Sequence, residues 1–245
     1  MSIVLVTGGS GTLGRHLVSI LSRRGHEVRV LSRRAGAGTH VGDLASGAGL
    51  ATAGAGAELV VHAATDRRLG RTDQQQTANL LDAVPSCRHL VYISIVGVDA
   101  IPFRYYRTKI ACEELITASP VPATVLRATQ FHELVAMALR ATSRLPVSPL
   151  PLDWLIQSVA AAEVAGRAAD LVTGPPLGRA PDFGGPEVLN GWQLTAAWRA
   201  RLGWPNSVLN VRVPCRVYRG FADGLNTCPD HADGRQKWSE FVATQ

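Results

Sequence analysis

Four cysteines, Cys87, Cys112, Cys215 and Cys228, are all that 245 residues hold, and no two stand at Cys-x-x-Cys spacing. That argues against a zinc site or a disulfide framework, and each is expected to be a small buried apolar residue. No apolar run comes near the ~18 residues that a membrane span needs. Nothing at the N-terminus reads as a signal peptide, because an apolar strand begins at Ile3. A soluble, cytoplasmic chain with no membrane partner is expected. Long basic runs are missing too. The chain carries 25 Lys and Arg against 19 Asp and Glu, a net charge of +6. Its arginines come in scattered pairs (Arg23-Arg24, Arg33-Arg34, Arg67-Arg68) without interleaved aromatics, so no nucleic-acid partner is expected. The positive balance suits a small anionic ligand instead. No internal repeat is visible. With 46% hydrophobic and 18% charged residues, the chain can bury a full core.

What is present begins at the first strand. Ile3-Val4-Leu5-Val6 is an unbroken apolar run, the pattern of a strand buried on both faces of a parallel sheet. Gly8, Gly11 and Gly14 follow. Leu13, Leu17, Ile20 and Leu21 then recur at helical spacing, opposite Arg15, His16, Ser19, Ser22 and Arg23. The glycines therefore sit on a strand-to-helix turn. Gly8 permits the tight turn, Gly11 allows backbone to approach a phosphate, and Gly14 lets the helix lie close to the sheet. The helix start, with Ser10, Thr12 and Leu13, offers free N–H groups to a pyrophosphate.

Further strands are expected at Glu27–Leu31, His40–Leu44, Leu59–Thr65, Leu90–Ile95 and Ala123–Arg127. Helices are expected between them, with a loose Ala/Gly-rich one at Ala45–Gly56 and others at Thr77–Val84 and Tyr105–Thr117. Six alternations with connections too long for hairpins imply an α/β, doubly wound parallel sheet of Rossmann type. Ligands of such sheets bind beyond the carboxyl ends of the strands. No acid stands between Glu27 and Asp43, and Arg33 and Arg34 close the second strand. An Arg there accommodates a ribose 2′-phosphate, which favours NADP(H) over NAD(H), with NAD(H) still possible; surface arginines are the plain alternative. Asp43 could bond an adenine amino group while Leu44 packs on its ring, or Asp43 could simply cap the next helix. Small Ala63 and Ala64, with Thr65, would let a cofactor pass closely. His62 reads as a core-edge histidine.

Tyr105 and Lys109 are four apart and share a helix face. An ammonium beside a phenol stabilises the phenolate, so the phenol can exchange a proton with a carbonyl or alcohol. Tyr106 lies on nearly the same face, and Glu113 could make a plain surface pair with Lys109. Beyond about Arg140, Pro146, Pro149 and Pro151 break the pattern. A helix at Gln157–Val172, a Gly/Pro-rich loop at Gly174–Pro186, a helix at Leu189–Leu202 and an extended segment at Val208–Val213 are expected. The tail carries Trp204, Phe221, Trp238 and Phe241. Residues 1–140 are thus expected to form the dinucleotide domain and 141–245 a small substrate lid.

Thr7-Gly8-x-x-Gly11-x-x-Gly14 together with Tyr105-x-x-x-Lys109 resembles the short-chain dehydrogenase/reductase superfamily, in its extended and atypical, NmrA-like branches. Ser94-Ile95-Val96-Gly97-Val98 and Thr124–Phe131 support the resemblance. It implies NADPH across the strand ends, Tyr105 as acid/base, Lys109 as its partner, and a fifth-strand hydroxyl completing the set. Ser94 is that candidate, although Ile95 stands where the family's catalytic hydroxyl falls. Thr129 and Gln130 could supply the missing polar contact, and Phe131 and His132 would line the nicotinamide side, with His132 an alternative acid. The implied activity is hydride transfer to a small organic carbonyl, quinone or enone. A cofactor-sensing protein without turnover, or a sugar-nucleotide epimerase or dehydratase, are the other readings. A monomer or homodimer is expected.

Overall fold

The computed structural model describes residues 1–36, 38–66, 68–203 and 207–245. Arg67 and Trp204 lie outside them. In chain order the elements are β1 (Ile3–Thr7), α1 (Gly14–Arg23), β2 (Glu27–Ser32), β3 (Thr39–Val41), α2 (Leu50–Gly54), β4 (Leu59–His62), α3 (Asp73–Ala83), β5 (His89–Ile95), α4 (Arg104–Ala118), β6 (Ala123–Ala128) and α5 (His132–Thr142). They continue as β7 (Val147–Leu150), β8 (Leu155–Ile156), α6 (Ala161–Thr173), β9 (Gly178–Arg179), β10 (Leu189–Asn190), α7 (Gly191–Leu202), β11 (Ser207–Asn210), α8 (Arg216–Ala222) and α9 (Trp238–Ala243).

A seven-stranded sheet runs in the order β3-β2-β1-β4-β5-β6-β9. β1 pairs in parallel with β2 on one side and β4 on the other, Val6 opposing Val30 and Val61. The strand order reverses there, between β1 and β4, which is where such sheets open a crevice for ligands. The outermost strand, β9, pairs in parallel with β6 inside the stretch expected to be a loop. Its two residues are too few to carry a periodic signal.

The chain divides into two compact units that interleave along the sequence, where a single break near residue 140 was expected. One comprises Met1–Ser94, Arg104–Arg127 and Val164–Pro181; the other comprises Ile95–Phe103, Ala128–Glu163 and Asp182–Gln245. The first has its core around Leu5, Leu50, Val60, Leu80, Leu90 and Ile116. The second has its own core around Leu139, Leu152, Trp198, Trp238 and Phe241. Trp198 and Trp238 stack there at 5.9 Å, and the Trp238 indole N–H donates to Leu194 O.

Several expectations change in detail. The helix at 45–56 shrinks to α2 because Gly47 and Gly49 take φ of +78° and +73°, a left-handed backbone that ends any helix before them. α6 starts at Ala161, four residues late, because Gln157 is pinned outside it. Its side chain accepts from Cys228 N at 2.6 Å and donates to Gly185 O at 2.8 Å. α5 was not expected at all. Cys87, Cys112 and Cys228 are buried as expected, but Cys215 is exposed, capping α8 with its sulfur toward Tyr218 N.

Candidate active site

The glycine turn has the shape its sequence requires. Gly8 has φ +71°, and a Cβ there would stand 2.7 Å from Ala63 O. A Cβ on Gly14 would run into the carbonyl oxygen of Gly8, so α1 can start this close to β1 only without one. Gly11 N donates to Gly8 O at 2.9 Å and closes the turn. Ser10, Gly11 and Thr12 are exposed above it, while Leu13 is buried beneath. The first amides of a helix have no intrahelical acceptor, so this rim offers donors to an anion. A nicotinamide dinucleotide fits such residues, because the close backbone approach and the exposed helix start are what its pyrophosphate needs.

One buried histidine ties this turn to the next strand. His62 Nδ1 lies 2.7 Å from Thr7 Oγ1, and His62 Nε2 lies 3.2 Å from Thr77 Oγ1. Thr7 Oγ1 also accepts from Ala64 N at 3.3 Å. The ends of β1 and β4 are thereby held to α3. Burial above all, and then the charge of Lys109, push the imidazole down to about 3. His62 is therefore neutral here and serves as a strut.

Past β2, Arg33 is exposed. Asp43 is half-buried and accepts from Ala45 N at 3.0 Å, shaping its own loop. Leu44 is buried in the core of the first unit, and its carbonyl accepts from Asn79 Nδ2 at 2.8 Å. Of the adenine pair expected from sequence, Leu44 has thus already been packed inside. Ala63 and Ala64 are half-buried at the exit of β4.

Tyr105 and Lys109 do share a face of α4. Lys109 is 4% exposed, its Nζ 3.5 Å from Ile93 O, 4.9 Å from the Tyr92 ring centroid and 5.7 Å from that of Tyr105. Glu113 is not its counter-ion. Asp73, 2% exposed, is, at 3.8 Å. That carboxylate also accepts from Thr65 Oγ1 at 2.6 Å and from Asp66 N at 2.7 Å. Thr65 Oγ1 in turn lies 3.3 Å from the Tyr105 hydroxyl. Since the Thr65 proton goes to Asp73, the phenol is the donor to Thr65. The run Tyr105–Thr65–Asp73–Lys109 joins a phenol, a hydroxyl, a carboxylate and an ammonium.

Sequence reasoning missed Asp73. Its only signal was an acid opening a helix, which reads as an ordinary favourable helix start.

Ser94 goes elsewhere. Its side chain is on the same face of β5 as Tyr92, and its hydroxyl donates to Glu113 Oε1 through a short bond. Glu113 is clamped by Arg127, Nε to Oε1 at 2.9 Å and Nη2 to Oε2 at 2.7 Å. Ser94 is 2% exposed and built into this pair.

The remaining candidates belong to the second unit. Thr129 is buried, with its amide on Phe183 O. Gln130 Oε1 accepts from Asn226 Nδ2 at 3.1 Å. Phe131 is half-buried at the start of α5. His132 is fully buried, its Nε2–H donating to Gln236 O at 3.0 Å and its Nδ1 2.8 Å from Ser158 Oγ. It packs on Trp238 and Phe241, and burial pulls its imidazole below the usual value. Every polar atom of that ring is used internally.

Among the described residues no group of three or more His, Cys, Asp and Glu could hold a metal ion, and no helix is long and apolar enough to cross a membrane.

Solved structures with the same fold include an NADPH-dependent oxidoreductase and a sugar-nucleotide epimerase. The NADPH-dependent quinone oxidoreductase QOR2 of Escherichia coli, solved with NADPH, superposes with a TM-score of 0.83 over 98% of this chain and 99% of its own, at 18% identity. A nucleoside-diphosphate-sugar epimerase of Staphylococcus aureus superposes with a TM-score of 0.80 over 99% and 100%, at 16% identity. At those identities the likeness is one of fold. In sequence, a 3-beta-hydroxysteroid dehydrogenase of Mycolicibacterium neoaurum is 46% identical over 68 residues, which span 25% of this chain and only 19% of that protein. Residues 8–172, from the glycine turn to the end of α6, match the NAD(P)H-binding family, and the chain belongs to it.

Proposed function

We propose that this chain is an NADPH-dependent oxidoreductase of the atypical short-chain dehydrogenase/reductase kind, reducing a small organic carbonyl, quinone or enone with Tyr105 as the proton donor. The observation that carries the reading is the buried Lys109 ammonium one helical turn from Tyr105, in a chain of the NAD(P)H-binding family. Of the 25 basic residues only Lys109 and Lys237 are lysines. A long, flexible cation buried beside a phenol is costly to keep unless it has work there.

When bound, the dinucleotide supplies the hydride. Gly8, Ser10, Gly11, Thr12, Leu13 and Gly14 would hold its pyrophosphate, and Arg33 the 2′-phosphate that separates NADPH from NADH. Ala63, Ala64 and Thr65 would line its path. Tyr105 then gives its proton to the substrate oxygen, and Lys109 steadies the phenolate left behind. Thr65, whose own proton goes to Asp73, accepts from the phenol and orients it, while Ser94 keeps its hydroxyl on Glu113. The dehydrogenase and quinone oxidoreductase named above favour this class.

The test is NADPH consumption with a panel of carbonyls, quinones and enones, followed by nicotinamide absorbance. Turnover that Tyr105→Phe abolishes is the expected result. NADPH binding without turnover on any of them would remove the proposal.

One observation favours a second reading, a cofactor-sensing protein without turnover. The Ser94 hydroxyl is taken up by Glu113, so the usual oxygen-binding hydroxyl is missing. In that case Tyr105→Phe leaves NADPH affinity and partner binding unchanged. The epimerase fold likeness supports a third class weakly, since Arg33 points to NADP(H) whereas epimerases of sugar nucleotides recycle bound NAD.

A further inference from the structure

Between β4 and α3 the chain passes Arg68, Leu69 and Arg71, and with Arg104 these line an open cavity of about 390 Å³. Three guanidinium groups around one cavity repel each other unless something answers them. Among the described residues, no ion pair does. The two acids of this segment have other duties. Asp66 accepts from Arg68 N at 3.1 Å and from Thr72 Oγ1 at 3.2 Å, and those bonds, with a lesser part from the charge of Arg68, hold it below the usual carboxylate range. Asp73 faces Thr65, the Asp66 amide and Lys109.

Two further features point the same way. Arg104 is the first residue of the fifteen-residue α4, whose first turn carries no acid. A cation there opposes the helix dipole, so charge and dipole both make this end of the cavity attractive to an anion. Leu69 has φ +54°, and no other described non-glycine residue has a positive φ. A branched side chain in that region is strained, which is how segments are held when their shape serves a site.

The residues that line the cavity flank Tyr105 in the chain and across the fold. Gly70, between Leu69 and Arg71, packs closely against the Tyr105 ring: a Cβ there would stand 2.9 Å from Cδ2 and Cε2 and from Asp73 Oδ2. Arg104 precedes Tyr105 directly in the chain.

We propose that Arg68, Arg71 and Arg104 form a subsite for an oxyanion, a carboxylate or phosphate carried by the substrate whose carbonyl meets Tyr105. The substrate class is then an anionic ketone or aldehyde, a keto acid or a phosphorylated carbonyl compound, and not a neutral quinone. This rests on Tyr105 marking the reacting carbonyl, as proposed above. Planar guanidinium groups match both oxyanions in two-point contacts.

The experiment uses the full chain saturated with NADPH and two matched pairs of probes: benzoylformate against its methyl ester, and dihydroxyacetone phosphate against dihydroxyacetone. Binding is read by calorimetry and reduction by nicotinamide absorbance. At least one anion is expected to bind roughly 10- to 100-fold more tightly than its neutral partner. Arg71→Ala and Arg104→Ala should collapse that ratio, Arg104→Lys should restore it in part, and the Kd for NADPH should stay put. All three arginines are exposed, so these variants leave the core intact. If neutral probes bind and react as well as anions, the subsite is wrong while the oxidoreductase reading survives. If NADPH affinity falls with the arginines, the oxyanion belongs to the dinucleotide and the proposal is overturned. If an anion binds in an arginine-dependent way but nothing is reduced, the subsite stands and the reaction proposed above falls.

Discussion

Lys109 Nζ and Asp73 Oδ2 stand 3.8 Å apart with both side chains almost wholly inside the protein. At that separation the contact is an ion pair and not a hydrogen bond. Two opposite charges removed from water together are tolerable, but one alone is not. Asp73→Asn should therefore destabilise the protein by about 3–5 kcal/mol, by stranding the ammonium. The double variant Asp73→Asn with Lys109→Met should be more stable than Asp73→Asn alone. Urea unfolding of the two variants checks this; equal stabilities would mean that the pair has no mutual dependence.

Ser94, Glu113 and Arg127 form a second buried unit next to the first. Ser94→Ala removes one donor from a carboxylate that keeps its guanidinium, so a loss of about 1–3 kcal/mol is expected. Glu113→Gln removes the carboxylate charge from a buried guanidinium pair, and about 3 kcal/mol should be lost. Combining them should cost less than the sum, since the hydroxyl and the guanidinium share one acceptor oxygen. A double-mutant cycle in denaturant reads the coupling directly.

How far the sequence reaches is set by the range of the interaction concerned. The strand runs at Ile3, Leu59 and Leu90 and the glycines of the first turn are local patterns, and they placed most of the sheet and the strand-to-helix turn after β1. Tyr105 and Lys109 were legible because helical spacing alone puts them together. Partners across elements were not. Nothing near Lys109 in sequence indicates Asp73, thirty-six residues upstream, and the adjacent candidate Glu113 belongs to Arg127 instead. Ser94 became a candidate through the resemblance's fifth-strand hydroxyl, while its orientation toward Glu113 of α4 depends on the packing of that helix. His132 stands one residue into α5, which the sequence did not reveal, and its burial against Trp238 joins positions more than a hundred residues apart.

Three buried imidazoles give the fold a pH dependence. Burial, the largest cause in each case, lowers His62 to about 3 and also lowers His89 and His132. A histidine whose folded value is depressed is neutral in the native state and takes up a proton on unfolding. Its contribution is fully present above the unfolded value near ~6.5 and is lost as pH falls toward the folded value. The slope is at most about 1.4 kcal/mol per pH unit for each such group. Thermal unfolding followed downward from about pH 6.5 should show a steadily falling Tm. His62→Gln, which keeps a polar contact but cannot titrate, should flatten the upper part of that curve.

The glycine turn allows the sharpest separation of fold from cofactor binding. At Gly14 an added methyl group meets the Gly8 carbonyl, a backbone atom that cannot swing aside, so Gly14→Ala must push α1 away from β1. At Gly11 the nearest atom to an added Cβ is again Gly8 O, but at 3.2 Å, and the residue is exposed with an ordinary negative φ. Gly11→Ala should therefore leave stability nearly untouched and weaken NADPH by crowding the surface that its phosphates approach. Gly14→Ala should weaken both, with a fall in stability of about 1–3 kcal/mol. Thermal unfolding with and without NADPH distinguishes the two. For Gly11→Ala the unliganded Tm matches the parent and the rise on adding NADPH shrinks, whereas for Gly14→Ala the unliganded Tm itself drops. A Gly11→Ala protein that keeps the full NADPH-induced rise would remove Gly11 from the cofactor surface.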